Sequence, residues 1–406
     1  MTNEGEPGIP FGDRLQRHRK RAGMSRPVLG GLVGRSGEWV KALETGRLLT
    51  PRLPLLLRLA DVLGVSDLAD LTGAERLSAA TYTKAAHEQL PAIARALATY
   101  TVGGSTDEPA DVVGLKARVE QTWELWHGVG RQRTAVAGLL PDLLREARTT
   151  VRRTEGPERR RALAIEAQVY HLSQLFVSFQ PAPELVFLTG DRAMTAAQDA
   201  DDPVAMAAAA WYLNHIYRSA GEQHEARIQL ALDTAQLLDP ERNDEERALF
   251  GLLHLAVALS YAKTGREGDA WRHWDHADRA ATALGDDYVH PWLMFGRGIV
   301  DAYTVTMLVD LARGGEAARR ADRLELATIP SATRRSFHLI ETARAHHQRR
   351  EYLASVALLR RAHDESPDTS GFNLFTRSAV LDLAAHGGAT VRPDAQALAR
   401  ELQLTT

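Results

Sequence analysis

Apolar side chains recur with the period of an α-helix along most of this chain, in short segments before about residue 73 and in longer ones after about residue 112. The first of the short segments, Phe11 to Ala22, predicts an amphipathic helix that ends at Gly23. Gly34 separates two further helices, and Ser36 can cap the second of them by accepting a backbone N–H bond. The inward faces of these two helices carry, in order, Leu29, Leu32, Val33, Val40 and Leu43.

Two more short helices are predicted after a loop that contains Pro51 and Pro54. The segment LLLRLADVLGV predicts an apolar helix that ends at Gly64, and Ser66 opens a last helix, SDLADLTG. Five helices in about 60 residues can enclose a small hydrophobic core. The sequence therefore predicts a compact helical domain at the start of the chain.

The order and spacing of these residues resemble the lambda-repressor/Cro-like domain of the XRE family over residues 11–73. Besides the two helices around the central turn, the resemblance depends on Glu44 with Gly46 and on an LxxLAxxLGV pattern formed by Leu56, Leu59, Ala60, Leu63, Gly64 and Val65. It implies a DNA-reading helix-turn-helix. Two residues depart from the family: Arg26 stands where Gln is frequent, and Gly30 replaces an Ala, which we expect to soften its helix by about 1 kcal/mol.

The same resemblance implies which residues contact DNA. It places Gly37, Glu38 and Lys41 at base edges, with Ala42 nearby. It places Arg26, Ser36 and Arg47 near phosphates, and Arg35 is a further predicted DNA-binding residue. Lys41 can donate to guanine and Glu38 can accept from cytosine, each contact discriminating by about 1 to 3 kcal/mol. Glu38 has a second interpretation, as a carboxylate that satisfies the helix dipole. Trp39 is expected to pack beneath the helix, and stacking on a sugar is the alternative.

Charge supports this segment independently of the family. Residues 11–58 contain eleven Lys and Arg against three Asp and Glu, a net charge of +8, whereas the whole chain has a net charge of −3. The predicted first helix places toward solvent Arg14, Arg17, Arg19, Lys20 and Arg21. The positive field therefore coincides with the segment expected to meet DNA. The alternative is that the basic run is an ordinary solvated helix face.

Composition limits the remaining classes. The chain has no cysteine, which excludes disulfides and thiolate chemistry and fits a cytoplasmic protein. No apolar run reaches membrane-spanning length, so no membrane association is predicted. The phosphate loop GxxxxGK[ST], the zinc helix HExxH and the nucleophile turn GxSxG do not occur, so we predict no enzyme and no cofactor. His273 and His276 share a helix face, but without a third ligand we predict no metal site.

A chain of 406 residues is expected to form more than one folding unit. The segment TVGGSTDEPAD disfavours both helix and strand and separates them. We predict a disordered lead over residues 1–10, the DNA-binding domain over 11–73, a helix and linker over 74–111, and a helical sensor and dimerisation domain over 112–406.

The last of these regions repeats a pattern of helix, turn and second helix. Aligning three segments on turns at Gly221, Gly265 and Arg350 places an aromatic residue or histidine four positions before each turn, at Tyr217, Tyr261 and His346. It places a small residue five positions after each turn, at Ala226, Ala270 and Ser355. These offsets resemble the tetratricopeptide pattern. A degenerate pair turning at Gly314 and Gly315 can fill the longest interval. The predicted fold is all-α, a five-helix lambda-repressor-like domain followed by an α-solenoid of tetratricopeptide-like helical pairs.

Stacked pairs form a concave groove that can bind a ligand. The predicted ligand-binding residues are Trp211, Asn214, His215, Arg218, Lys263, Arg344 and His347. A cation, amides and rings together suit a peptide or a small acidic molecule. The alternative is that these residues are polar helix-surface positions and that Trp211 belongs to the core.

The whole architecture resembles the regulators of Gram-positive bacteria that include the peptide-pheromone receptors of the RRNPP group, and the Arg- and Ala-rich composition is similar to actinomycete members. The resemblance implies a homodimer that binds double-stranded DNA and is controlled by a peptide or small-molecule effector, as in quorum sensing. Two alternatives remain: a scaffold whose repeats bind a protein partner with secondary DNA contact, and an enzyme.

Overall fold

All regular structure in the described residues is helical. The structure, a computed structural model, describes residues 9–73, 84–100, 111–215 and 224–404, and the backbone alone of residues 216–220. The predicted all-α fold is confirmed. Within these ranges every helix is too short or too polar to cross a lipid bilayer.

The first five helices form the N-terminal bundle. They are α1 (Phe11–Arg21), α2 (Arg26–Leu32), α3 (Gly37–Glu44), α4 (Leu53–Leu63) and α5 (Leu68–Thr72). Ser36 caps α3 as expected, since its Oγ accepts the backbone N–H of Trp39 at 3.0 Å. Ser66 does not cap α5, however, because the carboxylate of Asp67 accepts the N–H of Ala69 instead.

The bundle has its own hydrophobic core. Its buried members are Leu15, Leu29, Val33, Val40, Leu43, Leu56, Leu59, Ala60, Leu63 and Leu71. Gly30 is part of this packing rather than only a soft point in α2, because a Cβ atom there would lie 2.7 Å from the carbonyl oxygen of Ser36. The glycine therefore permits the close approach of α2 to the turn that precedes α3.

The remaining helices, called here the C-terminal helices, are α6 to α22. Their bounds are α6 (Leu90–Ala98), α7 (Val112–Gly128), α8 (Gln132–Ala137), α9 (Leu140–Arg153), α10 (Gly156–Val177), α11 (Pro183–Asp199), α12 (Pro203–Ala220), α13 (His224–Ala235), α14 (Asp244–Thr264), α15 (Glu267–Leu284), α16 (Arg297–Asp310), α17 (Gly314–Ala321), α18 (Ala332–Gln348), α19 (Tyr352–Glu365), α20 (Pro367–Phe372), α21 (Leu374–His386) and α22 (Arg392–Glu401). A 3₁₀ turn, Leu326–Thr328, precedes α18.

Consecutive C-terminal helices pack against each other in pairs, most extensively α14 with α15 and α18 with α19. Two predicted turns are confirmed: Gly265 ends α14 with φ 79° and Arg350 joins α18 to α19 with φ 62°. Gly221 lies outside the described residues.

The helices α16 and α17 fill the longest interval, as expected, although the left-handed residue of their turn is Ala312. Ala270 and Ser355 are fully buried, whereas Ala226 is exposed on α13.

Aromatic and histidine rings meet where α7, α10 and α12 face the irregular segment between α15 and α16. The ring of His171 stacks on Tyr212 at 4.5 Å, and Trp292 stacks on Trp123 at 5.1 Å. Burial lowers the pKa of His171 to about 3, so this interior histidine is neutral. His338 on α18 is likewise buried, and its burial beside Arg334 lowers its pKa to about 3.

Acidification is expected to destabilise the fold through these histidines. An unfolded histidine has a pKa near 6.5, so between about pH 6.5 and pH 3 the unfolded chain binds more protons than the folded one. Stability therefore falls as the pH decreases through this window, by up to about 1.4 kcal/mol per pH unit for each histidine. Urea unfolding at pH 7.5, 6 and 5 should give successively lower midpoints, with a smaller dependence in His171→Phe. A midpoint that does not change with pH would contradict this prediction.

Candidate nucleic-acid interface

The helix α3 exposes one stripe of polar residues. Glu38, Lys41 and Thr45 point to solvent, while Val40, Leu43 and Glu44 are buried. Thr45 was not among the predicted contacts, although its position seven residues after Glu38 continues the same helix face. Ala42 is only 1% exposed. The expectation that Ala42 lies near base edges is therefore wrong, because its methyl group packs into the bundle.

Glu44 joins three helices of the bundle by ion pairs. Arg19 of α1 donates from Nε to Glu44 Oε1 at 2.6 Å, and Arg26 of α2 donates from Nε to Oε2 at 2.7 Å. Burial by itself would raise the pKa of the Glu44 carboxyl, but the hydrogen bonds from Arg19 and Arg26 hold that pKa below its ordinary value. The carboxylate is therefore charged, and it fixes α3 against α1 and α2.

Two sequence expectations change with this arrangement. Arg19 was expected at the surface, but it is 7% exposed and donates a further hydrogen bond to the carbonyl of Met24 at 2.7 Å. Arg26 was expected near phosphates, and its Nε is committed to the Glu44 carboxylate that Arg19 shares, while the Arg26 side chain remains 36% exposed. Both residues orient α3, and charge alone placed Arg19 incorrectly because it does not reveal the distant partner Glu44.

The other predicted cations remain close to the exposed stripe. Lys41 Nζ lies 3.4 Å and Arg47 Nη2 lies 4.0 Å from Glu38 Oε2, so both cations share one exposed carboxylate. Arg35 donates to the carbonyl of Gly34 at 2.8 Å, and its guanidinium lies 5.8 Å from the ring centre of Trp39. Trp39 is partly buried against the bundle core, which confirms the expected packing.

The start of α3 contacts the C-terminal helices. His224 of α13 lies with Nε2 3.1 Å from the carbonyl oxygen of Gly34. A carbonyl only accepts, so Nε2 donates and Nδ1 is left to accept from Arg227 at 2.7 Å. Burial, together with the nearby Arg227 and Arg35, lowers the pKa of His224 to about 4. Gly265 packs so closely on the Ser36 side chain that a Cβ at position 265 would lie 2.4 Å from its Cβ.

The end of α3 contacts the C-terminal helices as well. Arg350, in the turn between α18 and α19, donates from Nη2 to the carbonyl of Thr45 at 2.6 Å. Leu49, in the loop after α3, packs on a cluster that includes Leu339 and Leu359 of α18 and α19. Both ends of the predicted recognition helix are therefore held by the C-terminal helices.

The predicted ligand-binding residues do not form one site. Trp211, Asn214 and His215 line a cavity of about 10 Å³ together with Ala256 and Leu259, which is space for about one water molecule. Trp211 is 1% exposed, so it lies in the core, and Asn214 donates to the carbonyl of Arg227 at 2.9 Å.

Three further predicted ligand residues lie elsewhere. Arg344 is paired with Asp310 at 3.1 Å and with Glu341 at 2.6 Å, and His347 is buried against the rings of Tyr352 and Phe375. Lys263 lies close enough to His224, near the N-terminal bundle, for its positive charge to help lower the pKa of that histidine. The side chain of Arg218 lies outside the described residues. Because Arg344 already has two carboxylate partners, an acidic ligand would have to displace one of them.

His273 and His276 face a third histidine. His254 of α14 lies with its Nδ1 2.9 Å from Nδ1 of His273, and its ring stacks on His276 at 4.4 Å. In the part of the chain that the structure describes, no group of three His, Asp or Glu side chains is arranged to hold a metal ion.

Residues 10–72 match the family model of a helix-turn-helix domain. This range coincides with α1 to α5. No curated protein matches the chain. Among solved structures, the chain is similar to the apo form of the competence regulator ComR from Streptococcus vestibularis, with 15% sequence identity and a TM-score of 0.34, over 85% of this chain and 97% of that one.

Replacing Glu44 by Gln should destabilise the bundle, because the buried Arg19 loses its charged partner. Breaking a buried ion pair costs about 3 to 5 kcal/mol. Hydrogen-exchange mass spectrometry of peptides from residues 11–48 should show a corresponding loss of amide protection. The matched control is Glu38→Gln, an exposed carboxylate on the same helix, for which we expect a change within about 0.5 kcal/mol. Equal protection in the two variants would argue against this role of Glu44.

Proposed function

We propose that this protein is a sequence-specific, DNA-binding transcriptional regulator and that its C-terminal helices control the access of α3 to DNA. The observation that supports this most directly is the exposed stripe of Glu38, Lys41 and Thr45. It lies on a capped helix of a helix-turn-helix bundle with a strongly positive sequence. A helix in this position enters the major groove with its first residues toward the base edges.

The side chains of the stripe suit base recognition. Lys41 can donate to O6 and N7 of guanine, and Glu38 can accept from N4 of cytosine. In the absence of DNA these two groups lie 3.4 Å apart and partly neutralise each other. Binding would exchange this pair for base contacts, while Arg35 and Arg47 approach phosphates. Arg26 contributes less, because Glu44 holds its guanidinium.

The docked position of α3 provides a means of control. A recognition helix must place its leading end at the floor of a groove about 12 Å wide, but here Gly34 and Ser36 contact His224 and Gly265. DNA binding therefore requires that the N-terminal bundle separate from the C-terminal helices. An effector, a peptide or a small molecule, regulates DNA binding if it binds one of these two arrangements more tightly.

We further propose that the regulator acts as a homodimer with tetratricopeptide-like repeats. Two bundles would then read half-sites about 34 to 36 Å apart. The pairing of α14 with α15 and of α18 with α19 through left-handed turns supports the repeat assignment. Analytical ultracentrifugation with and without operator DNA tests the stoichiometry.

Replacing Lys41 by Ala should relax base preference at one position of the operator. The discrimination lost is about 1 to 3 kcal/mol, and it can be measured by selection from randomised DNA followed by competition titrations. Lys116→Ala is the matched control, since this exposed lysine of α7 pairs only with Glu120 within the described residues. If the Lys41 variant selected the same sequences as the parent, Lys41 would not read a base.

Removing two contacts that hold α3 should increase DNA affinity. His224→Phe and Arg350→Ala together eliminate hydrogen bonds worth about 1 to 3 kcal/mol, so the affinity measured by titration at fixed salt should rise by up to about 100-fold. Arg360→Ala is the control, because this residue of α19 pairs with Glu401 and not with the bundle. An affinity equal to that of the parent would mean that docking does not oppose DNA binding.

A further inference from the structure

A cleft lies where the loop after α3 meets the turn between α16 and α17. Its volume is about 340 Å³, within the range of small-molecule sites of about 300 to 1,000 Å³. One side is Arg47 of the N-terminal bundle, and the other side is formed by the turn between α16 and α17, by α17 and by the end of α18. The complete lining is Arg47, Ala312, Arg313, Gly314, Gly315, Glu316, Arg319, Gln348 and Arg349. Arg47 is the contribution of the bundle to this lining, so the cleft has its Arg47 side only while the bundle is docked.

The charged groups of the lining favour an anion. Four guanidinium groups face one carboxylate, that of Glu316. Three of the four are partly compensated by carboxylates: Arg313 by Glu316 and Glu267, Arg349 by Glu351 at 2.6 Å, and Arg47 by Glu38 at 4.0 Å. Arg319 is exposed, and no carboxylate in the described ranges pairs with it. An anion in the cleft could therefore pair with Arg319, whose guanidinium has no carboxylate partner within the described residues.

The backbone adds donors to these cations. The helix α17 begins in the cleft at Gly314 and Gly315, and no side chain caps it. Within the described residues neither glycine amide donates to a carbonyl or side chain. Uncapped amides at a helix start bind phosphate well, because the N–H groups and the helix dipole both favour negative charge. Glycine also allows a ligand to approach the backbone closely.

A buried polar atom in the lining offers an acceptor that is independent of α17. Gln348 is 6% exposed, and its Nε2 donates to the carbonyl of Val309 at 2.8 Å, which fixes the orientation of the amide. Its Oε1 is buried, has no hydrogen-bond partner and lies 2.9 Å from where a Cβ of Gly314 would be. A buried acceptor without a donor is costly. A hydroxyl or P–OH group of a ligand would satisfy it after a small movement of the side chain that exposes Oε1 to the cleft.

We propose that this cleft binds a small phosphate-bearing molecule that holds the N-terminal bundle against the C-terminal helices. The phosphate would lie between Arg47, Arg319 and the amides of Gly314 and Gly315, with a hydroxyl donating to Gln348. Because the two sides of the cleft belong to the two parts that separate on DNA binding, the ligand stabilises the docked arrangement and lowers DNA affinity. This effect on DNA rests on the proposed function, whereas binding of the ligand does not.

Inorganic pyrophosphate is the probe for this site. Isothermal titration of the full chain, without DNA, should give saturable binding that Arg319→Ala weakens at least tenfold. Arg323→Ala is the matched control, an exposed arginine four residues further on that does not line the cleft. Gln348→Glu, which adds a carboxylate, should weaken binding as well. No saturable heat, or equal binding by the Arg319 and Arg323 variants, overturns the site.

A second measurement tests the link to DNA. At constant ionic strength, so that salt does not itself weaken the complex, pyrophosphate should lower the DNA affinity of the parent and of Arg323→Ala at least fivefold, and leave that of Arg319→Ala unchanged. Binding that depends on Arg319 without any change in DNA affinity overturns the coupling between cleft and docking. Failure of the parent to bind any DNA, with pyrophosphate binding intact, overturns the proposed function and leaves the cleft as a phosphate site.

Discussion

The ion pairs of Glu44 are the interaction on which the rest of this structure depends. A carboxylate with 5% exposure is tolerated only because two guanidinium groups from other helices satisfy it. The same pairs orient α3, so that its polar stripe points outward and its two ends point toward the C-terminal helices. One buried charge therefore determines both the surface offered to DNA and the surface offered to the rest of the chain.

The contacts that hold the two ends of α3 are individually weak, and this suits a reversible arrangement. Two hydrogen bonds to backbone carbonyls, the packing of Ser36 on Gly265 and the packing of Leu49 connect the parts described here. Each of the two hydrogen bonds contributes about 1 kcal/mol net, so neither by itself would prevent release of the bundle. A ligand that binds the docked form more tightly than the released form then changes their proportions.

Local patterns predicted what depends on local interactions. The ends of the short helices near Gly23 and Gly64, the cap at Ser36 and the turns at Gly265 and Arg350 follow from residues within one helical turn of each other, whereas the predicted cap at Ser66 was wrong. Arg19 was misplaced because its partner Glu44 is 25 positions away, and no local pattern contains that distance. The predicted ligand-binding residues were misplaced for the same reason. Arg344 pairs with Asp310 on another helix, and the residue spacing within α18 does not reveal this contact.

Position 265 requires a glycine for two separate reasons. Its left-handed backbone ends α14, and its missing side chain leaves room for Ser36. A larger residue would push Ser36 away from α14, although the polar groups that connect the bundle to the C-terminal helices would themselves be unchanged. Under the proposed mechanism, homologues that differ at this one position would differ in how strongly the C-terminal helices oppose DNA binding.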